Sequence, residues 1–223
     1  MIKINNLNKT FYPNTPREFQ ALQNINLHIK EGELTILEGV SGSGKSTLLS
    51  LIAALQKPTS GEIIVDNESI AKLPDFHASQ LRAKKIGFIF QAFHLFENLS
   101  VEENISLVLI PLNFSQQDIN QKVKRALQKA NIEHKSKERV SNLSGGEKQR
   151  CAIARALANN PKIILCDEPT ANLDKTNSLK FIEELKELKE MGKTILISTH
   201  DPLFREISFS DKVVEIEGGK IKI

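Results

Sequence analysis

Cysteine is scarce: Cys151 and Cys166 are the only two in the 223-residue chain. They form neither a Cys-x-x-Cys pair nor a metal-type cluster, which speaks against a disulfide framework or a thiolate metal site and leaves two buried, reduced thiols as the expectation. Long apolar runs are also missing. The longest, Leu107-Val108-Leu109-Ile110-Pro111-Leu112, is broken by Pro111 and falls far short of the ~20 residues that span a bilayer. The opening Met1-Ile2-Lys3-Ile4-Asn5-Asn6 has no apolar signal region, so any work at a membrane is expected to pass through a partner. Nor does charge of one sign prevail. Against 30 Lys and Arg stand 27 Asp and Glu, a net +3, and composition gives no call for nucleic acid. No internal repeat, low-complexity tract or long linker is visible, and no regulatory extension is expected after the Gly218-Gly219 turn.

What the chain does have is 40% apolar residues, enough to bury a substantial core as a single domain over 1–223. Leu34-Thr35-Ile36-Leu37, Ile163-Ile164-Leu165-Cys166 and Thr194-Ile195-Leu196-Ile197 are continuous β-rich runs, suited to central parallel strands covered on both faces. Between the last two, Leu179, Ile182, Leu185 and Leu188 recur at a spacing of three. They predict a helix with one apolar stripe and a charged outer face of Glu183, Lys186, Glu187 and Lys189. The opening third predicts a largely antiparallel layer with strands over 2–7, 25–29 and 62–65, the last following the turn residues Pro58-Thr59-Ser60-Gly61. Residues 92–158 are mostly helical in pattern. Ile119, Val123, Ala126, Leu127 and Ala130 share one face of a helix starting near Ser115, and another helix follows Gly146. The expected class is α/β: a mixed sheet core over 1–91 and 159–223 that includes an antiparallel β subdomain, with a helical subdomain inserted at 92–158.

Gly39-Val40-Ser41-Gly42-Ser43-Gly44-Lys45-Ser46 matches the phosphate-loop spacing G-x-x-x-x-G-K-[ST] at every position. Its glycines let backbone N–H groups turn inward, and a helix over 45–53 points its positive end at the phosphates. Lys45 adds a point charge for the β and γ phosphates, and the Ser46 hydroxyl can ligate Mg²⁺. A strand before and a helix after supply the context that an ordinary glycine turn lacks. Ile163-Ile164-Leu165-Cys166-Asp167-Glu168 ends in two carboxylates at the carboxyl edge of a parallel sheet, where α/β sites lie. Asp167 is expected to hold the magnesium shell. Glu168, expected to point the opposite way, would accept a hydrogen bond from an attacking water. A second glycine motif, Leu143-Ser144-Gly145-Gly146-Glu147-Lys148-Gln149-Arg150, lies too far along the chain to reach the same phosphates easily, so it is expected to serve a nucleotide held by another copy. Its plainer reading is a glycine helix start capped by Ser144.

That second motif carries a resemblance. Over essentially its whole length the chain resembles the ATP-binding subunits of ABC transporters, a class of P-loop NTPase, whose signature other phosphate-loop proteins lack. The resemblance implies that Gly39, Ser41, Gly42, Ser43, Gly44, Lys45, Ser46 and Thr47 hold ATP. It also implies that Ser144 and Gly146, with Gly145 between them, touch the γ-phosphate held by an opposite subunit. Gln91, after Ile86-Gly87-Phe88-Ile89-Phe90, is similar to the glutamine that senses magnesium and water. His200 is similar to the switch histidine on the γ-phosphate, and Asn172-Leu173-Asp174 to the loop that communicates across the dimer, with Asp174 near the nucleotide. Taken alone, such a glutamine reads as a surface residue and such a histidine as structural. Phe11 stands where the family places a tyrosine that stacks on adenine, with Tyr12 beside it. Either ring offers a π face, and Thr10-Phe11 reads equally as core packing.

The activity implied is hydrolysis of ATP to ADP and phosphate. Glu168, His200, Gln91 and Lys45 are its catalytic residues, Ser46, Gln91 and Asp167 its Mg²⁺ ligands, and a homodimer its ATP-bound state. Gly42-Ser43-Gly44-Lys45-Ser46-Thr47-Leu48-Leu49, Lys85-Ile86-Gly87-Phe88-Ile89-Phe90-Gln91 and Val101-Glu102-Glu103-Asn104-Ile105, followed by Pro111-Leu112, are similar to the separate ATPases of the lipoprotein-release, macrolide-efflux and cell-division group. That implies integral membrane permease subunits as partners, a peripheral location on the cytoplasmic side of the membrane, and no nucleic acid. Glu97 departs from a proline common after the glutamine loop, at the expected partner contact. Phe93, Leu95, Phe96 and Leu99 read either as a groove for a permease helix or as core. The competing reading is a soluble ATPase of the same family acting on nucleic acid or ribosomes. Such proteins carry two ATPase units or a long coiled coil between the glycine motifs, whereas this chain has one unit and a compact interval. A small-molecule kinase would leave the signature, Gln91 and His200 unexplained.

Overall fold

The computed structural model describes residues 1–205 and 207–222. A six-stranded sheet runs through the centre, ordered β10-β9-β3-β8-β7-β6. Its strands are β3 (Leu34–Glu38), β6 (Ile86–Ile89), β7 (Ile163–Asp167), β8 (Thr194–Thr199), β9 (Lys212–Glu217) and β10 (Lys220–Ile221). Pairing is parallel throughout except at β9 and β10, which form an antiparallel hairpin. The three continuous apolar runs are its central strands. Side chains alternate across a strand, so Leu34, Ile36, Ile164, Cys166, Ile195 and Ile197 enter one core while Leu37, Ile163, Leu165 and Leu196 enter the other. Burial on both faces is why these runs are apolar without a polar alternation.

The second core is closed by an antiparallel sheet of order β2-β1-β4-β5, built from β1 (Ile2–Phe11), β2 (Phe19–Ile29), β4 (Ser60–Val65) and β5 (Glu68–Ser69). Ile2 faces Ile29 on one side and Val65 on the other, and all three are fully buried. Helix α1 (Lys45–Ile52) lies in this core through Leu48, Leu49, Leu51 and Ile52. Helix α2 (Asp75–Lys85) joins it through Leu81. The first core is closed by α3 (Val101–Ser106), α4 (Gln116–Lys129), α5 (Gly145–Leu157) and α6 (Lys175–Glu190). Ser115 caps α4 by accepting from Asp118 N, and Val123, Ala126, Leu127 and Ala130 pack inward with Ile119 half-buried, as the sequence predicts.

Two expectations for α6 need correction. Leu179 is exposed, and the buried face is Ser178, Phe181, Ile182, Leu185 and Leu188. A strict three-residue repeat drifts by ~60° per step on a helix of 3.6 residues per turn, so its first member lies on the opposite side from its last. Lys189, expected on the charged outer face, instead folds inward to donate to Phe209 O at 2.5 Å and to pair with Asp211 Oδ2 at 2.7 Å. The strands over 2–7 and 25–29 are longer than expected because mutual pairing extends them. Helices α2 and α3 and the β9-β10 hairpin have weak local patterns and are visible in the fold alone.

Candidate nucleotide site

Strand β3 delivers the chain into the loop 39–44, and the loop closes against two other elements. Gly39 has φ 155°, and a Cβ there would collide with the Ile216 carbonyl oxygen of β9. Gly44 has φ 108° and is the N-cap of α1, where a Cβ would lie 2.8 Å from both Ala21 O and Leu22 Cδ2 of β2. Sheet edge and β-layer thus press on the loop from two sides, leaving only hydrogen at these positions. Ser41 and Gly42 are exposed at the loop tip, Ser46 is exposed, and Thr47 is half-buried at the start of α1. Lys45 is buried. Its Nζ donates to Gly39 O at 2.6 Å and Val40 O at 3.1 Å and lies 3.5 Å from Glu168 Oε1.

Strand β7 brings both carboxylates to this loop. Asp167 Oδ1 accepts from Ser46 Oγ at 2.7 Å and from Ser198 Oγ of β8 at 2.5 Å. Glu168 lies just beyond the strand, is 8% exposed, and has φ 45°. The expectation that it points away from Asp167 is therefore corrected. Strand alternation ends at Asp167, and a left-handed residue, uncommon for a side chain with Cβ, turns Glu168 onto Lys45, the neighbour of Ser46. Glu168 Oε2 also lies 2.9 Å from His200 Nδ1 and accepts from His200 N at 3.3 Å. His200 follows β8 with an exposed ring. The turns after β7 and β8 are tied by Thr170 Oγ1 donating to Asp201 Oδ2 at 2.7 Å.

Gln91 is exposed beyond β6, and its carbonyl accepts from Asn172 Nδ2 at 2.6 Å. Asp174 caps α6, accepting from Asn177 N at 2.9 Å. That bond, with a second from Asn177 Nδ2 at 2.7 Å, holds its carboxyl below the usual range. Phe11 ends β1 opposite Phe19, half-buried, with Lys9 Nζ 4.9 Å from its ring centroid. Tyr12 is turned outward, 66% exposed at φ 49°. Ser144, Gly145 and Gly146 open α5. Ser144 and Glu147 form a capping box, in which Glu147 Oε2 accepts from Ser144 N at 2.8 Å and Ser144 Oγ at 2.9 Å. These bonds, with Lys135 behind them, pull the Glu147 carboxyl down to about 2. Among the described residues no hydrogen bond joins 143–146 to the loop 39–47.

The residues fit a magnesium-bound triphosphate. Ser43, 3% exposed, has a hydroxyl oxygen without a protein partner inside the loop, and Lys45 adds a buried cation. Ser46 and Asp167 are paired hard-oxygen donors. Among the described residues no cluster of three or more His, Cys, Asp or Glu could hold a metal alone, and Mg²⁺ normally completes its shell with water and substrate phosphate. Sequence reasoning missed Ser198, Thr170, Asp201 and Asn177. Each is a common polar type whose role comes from what tertiary contact brings beside it.

A parallel sheet with a glycine loop at its carboxyl edge, a buried lysine, and a hydroxyl set against a strand-end aspartate defines the class of phosphate-loop nucleotide hydrolases. The chain belongs to the ABC transporter family, whose sequence profile matches residues 22–171; it is an ATP-binding, ATP-hydrolysing cassette. It is 42% identical to the uncharacterized ABC transporter ATP-binding protein MJ0796 of Methanocaldococcus jannaschii, over 100% of this chain and 95% of that one. It is 39% identical to the macrolide export ATP-binding/permease protein MacB of Campylobacter fetus, over 99% of this chain and 34% of that longer protein. The fold matches a dimeric post-hydrolysis structure of MJ0796 bound to ADP and phosphate with a TM-score of 0.90 and 40% identity, covering 100% of this chain and 97% of that one.

Proposed function

We propose that two copies of this chain close around two ATP molecules and drive separate membrane permease subunits, in the manner of the lipoprotein-release, efflux and force-transmitting group. The observation that carries this reading is the division of the site. Lys45, Ser46, Asp167, Glu168 and His200 converge on one phosphate face, while Ser144, Gly145 and Gly146 open a helix with no hydrogen bond to that loop among the described residues. A helix start is an anion site, and a second copy can present it to the γ-phosphate. Dimerisation of a relative with ADP and phosphate supports the pairing.

Lys45 leaves its loop carbonyls to bind the β and γ phosphates, and the loop amides orient them. Ser46, Asp167 and Gln91 would hold Mg²⁺, which when bound would offset charge on the phosphate oxygens. Glu168, freed from Lys45, accepts the hydrogen bond of the attacking water, and His200 steadies the γ-phosphate. Phe11 stacks on the adenine, and Asp174 carries the state of one site to the other. ATP favours the closed pair because its γ-phosphate contacts both copies; ADP lacks that bridge. The helical segment 92–158 then moves as a lobe against 1–91 and 159–223. Between that lobe and the sheet domain lies a groove of about 430 Å³ lined by Phe88, Phe90, His94, Phe96 and Val108. Of the four residues singled out in the sequence, Phe96 lines the groove with 61% of its surface exposed, while Leu95 packs against the core. We assign the groove to a permease helix, on the cytoplasmic side of the membrane.

Glu168→Gln is the test. Turnover should fall ~100-fold or more while ATP binding persists, and sedimentation with Mg-ATP should show a dimer that ADP does not support. Undiminished hydrolysis removes Glu168 from its role, and a persistent monomer overturns the closure.

A further inference from the structure

Gly146 is the second residue of α5 and is absent from the residues with positive φ, so its backbone is one that alanine would adopt. Glycine in a helix costs ~1 kcal/mol against alanine, and something other than conformation must require it here. The obstruction is in the same chain. A Cβ at Gly146 would stand 2.8 Å from Asn177 Oδ1, 3.0 Å from its Cγ and 3.2 Å from its Nδ2. Gly145 differs, since a Cβ there would meet only Asn172 O at 3.5 Å, an ordinary contact.

The Asn177 amide has little freedom to give way. Its Nδ2 donates to Asp174 Oδ2 at 2.7 Å while its backbone N donates to Oδ1 of the same carboxylate at 2.9 Å. The carboxylate is the cap of α6, so α6 begins with a closed ring whose outer edge is the amide facing Gly146. Two residues before Asp174, the Asn172 Nδ2 donates to Gln91 O at 2.6 Å. The first turn of α5, the loop 172–174 and Gln91 beyond β6 are thereby in register within one chain before any second copy arrives.

We infer that Asn177 is a positioning residue: clamped on Asp174, its amide fills the space a side chain at position 146 would need and sets the signature turn at a fixed height against the loop 172–174. The inference rests on the proposed role of that turn in dimer closure for its functional consequence, but not for its structural part. Alanine at 146 would push the amide off Asp174, breaking one charge-assisted bond and tilting the start of α5.

The test is a double-mutant cycle of Gly146→Ala and Asn177→Ala in the Glu168→Gln background, with Gly145→Ala as control. Thermal unfolding without nucleotide is the first readout and Mg-ATP dimerisation by sedimentation the second. Gly146→Ala should lower Tm by roughly 2–4 °C, and adding Asn177→Ala should return Tm to that of Asn177→Ala alone or above. Gly145→Ala should not lower Tm. Dimer affinity should drop about tenfold in Gly146→Ala and recover to within about threefold of Asn177→Ala in the double variant. Equal penalties with and without Asn177, or an unchanged Tm in Gly146→Ala, overturn the inference. Failure of the Glu168→Gln parent to dimerise instead sinks the proposed closure, and the Tm cycle still decides the role of Asn177.

Discussion

Glu168 is held in a left-handed backbone that costs a residue with Cβ ~1 kcal/mol or more. The strain is sustained by Lys45 and His200 on its carboxylate and by its own N–H donating to Ser198 O at 3.0 Å. Glu184 on α6 shows a different electrostatic cost. Burial raises its carboxyl from 4.5 to about 7, with Arg150 of α5 opposing and Glu187 and Glu183 adding to the rise. Because the folded value is raised, the protonated form favours the fold. That contribution is complete below the unfolded value and is lost as pH climbs through about 7. Glu184→Gln should therefore raise Tm relative to the parent at pH 8, and the gain should vanish as pH is lowered toward that of a free carboxyl. An equal gain at every pH would show that the carboxyl is not the cause.

Helix α5 links the site to the groove. Its first turn carries the capping box, which satisfies donors that a helix start otherwise leaves bare. Near its far end Arg155 Nη2 donates to Phe93 O at 2.6 Å and Nη1 donates to His94 O. Both recipients are left-handed, at φ 58° and 49°, and the guanidinium fork ties that turn, itself closed by backbone bonds from Phe93 N to Phe90 O and His94 N to Ala92 O, to α5. Phe88, Phe90 and His94 stack beside it, with centroids 4.1 and 4.7 Å apart, to form the groove floor. Arg155→Met should cost ~2 kcal/mol in urea unfolding. Arg155→Lys should recover less than half, because a single ammonium lacks the two-pronged geometry. Full recovery by lysine would reduce Arg155 to a simple charge.

Across the whole molecule, two cores back a single sheet, and each contains part of the site's support. The cysteines report on the first of these cores, which contains both. Cys151 and Cys166 are fully buried; burial pushes the first thiol up to about 12 and the second higher still. Neither should react with a thiol reagent in the native protein, and both should react in urea at the rate of global unfolding. Fast labelling under native conditions would mean that this first core opens locally.

Adjacent residues were enough to define the anion loop, the signature and the strand-end acids, because phosphate binding depends on local backbone shape and consecutive donors. The same locality made the central strands and α4 legible. Only the tertiary structure decided that Lys189 of α6 folds inward, how Glu168 turns onto Lys45, and why Ser198, Thr170, Asp201, Arg155 and Asn177 matter. Those outcomes depend on side chains brought together by the sheet order from distant positions in the chain, and no short window of sequence contains both partners of such a contact.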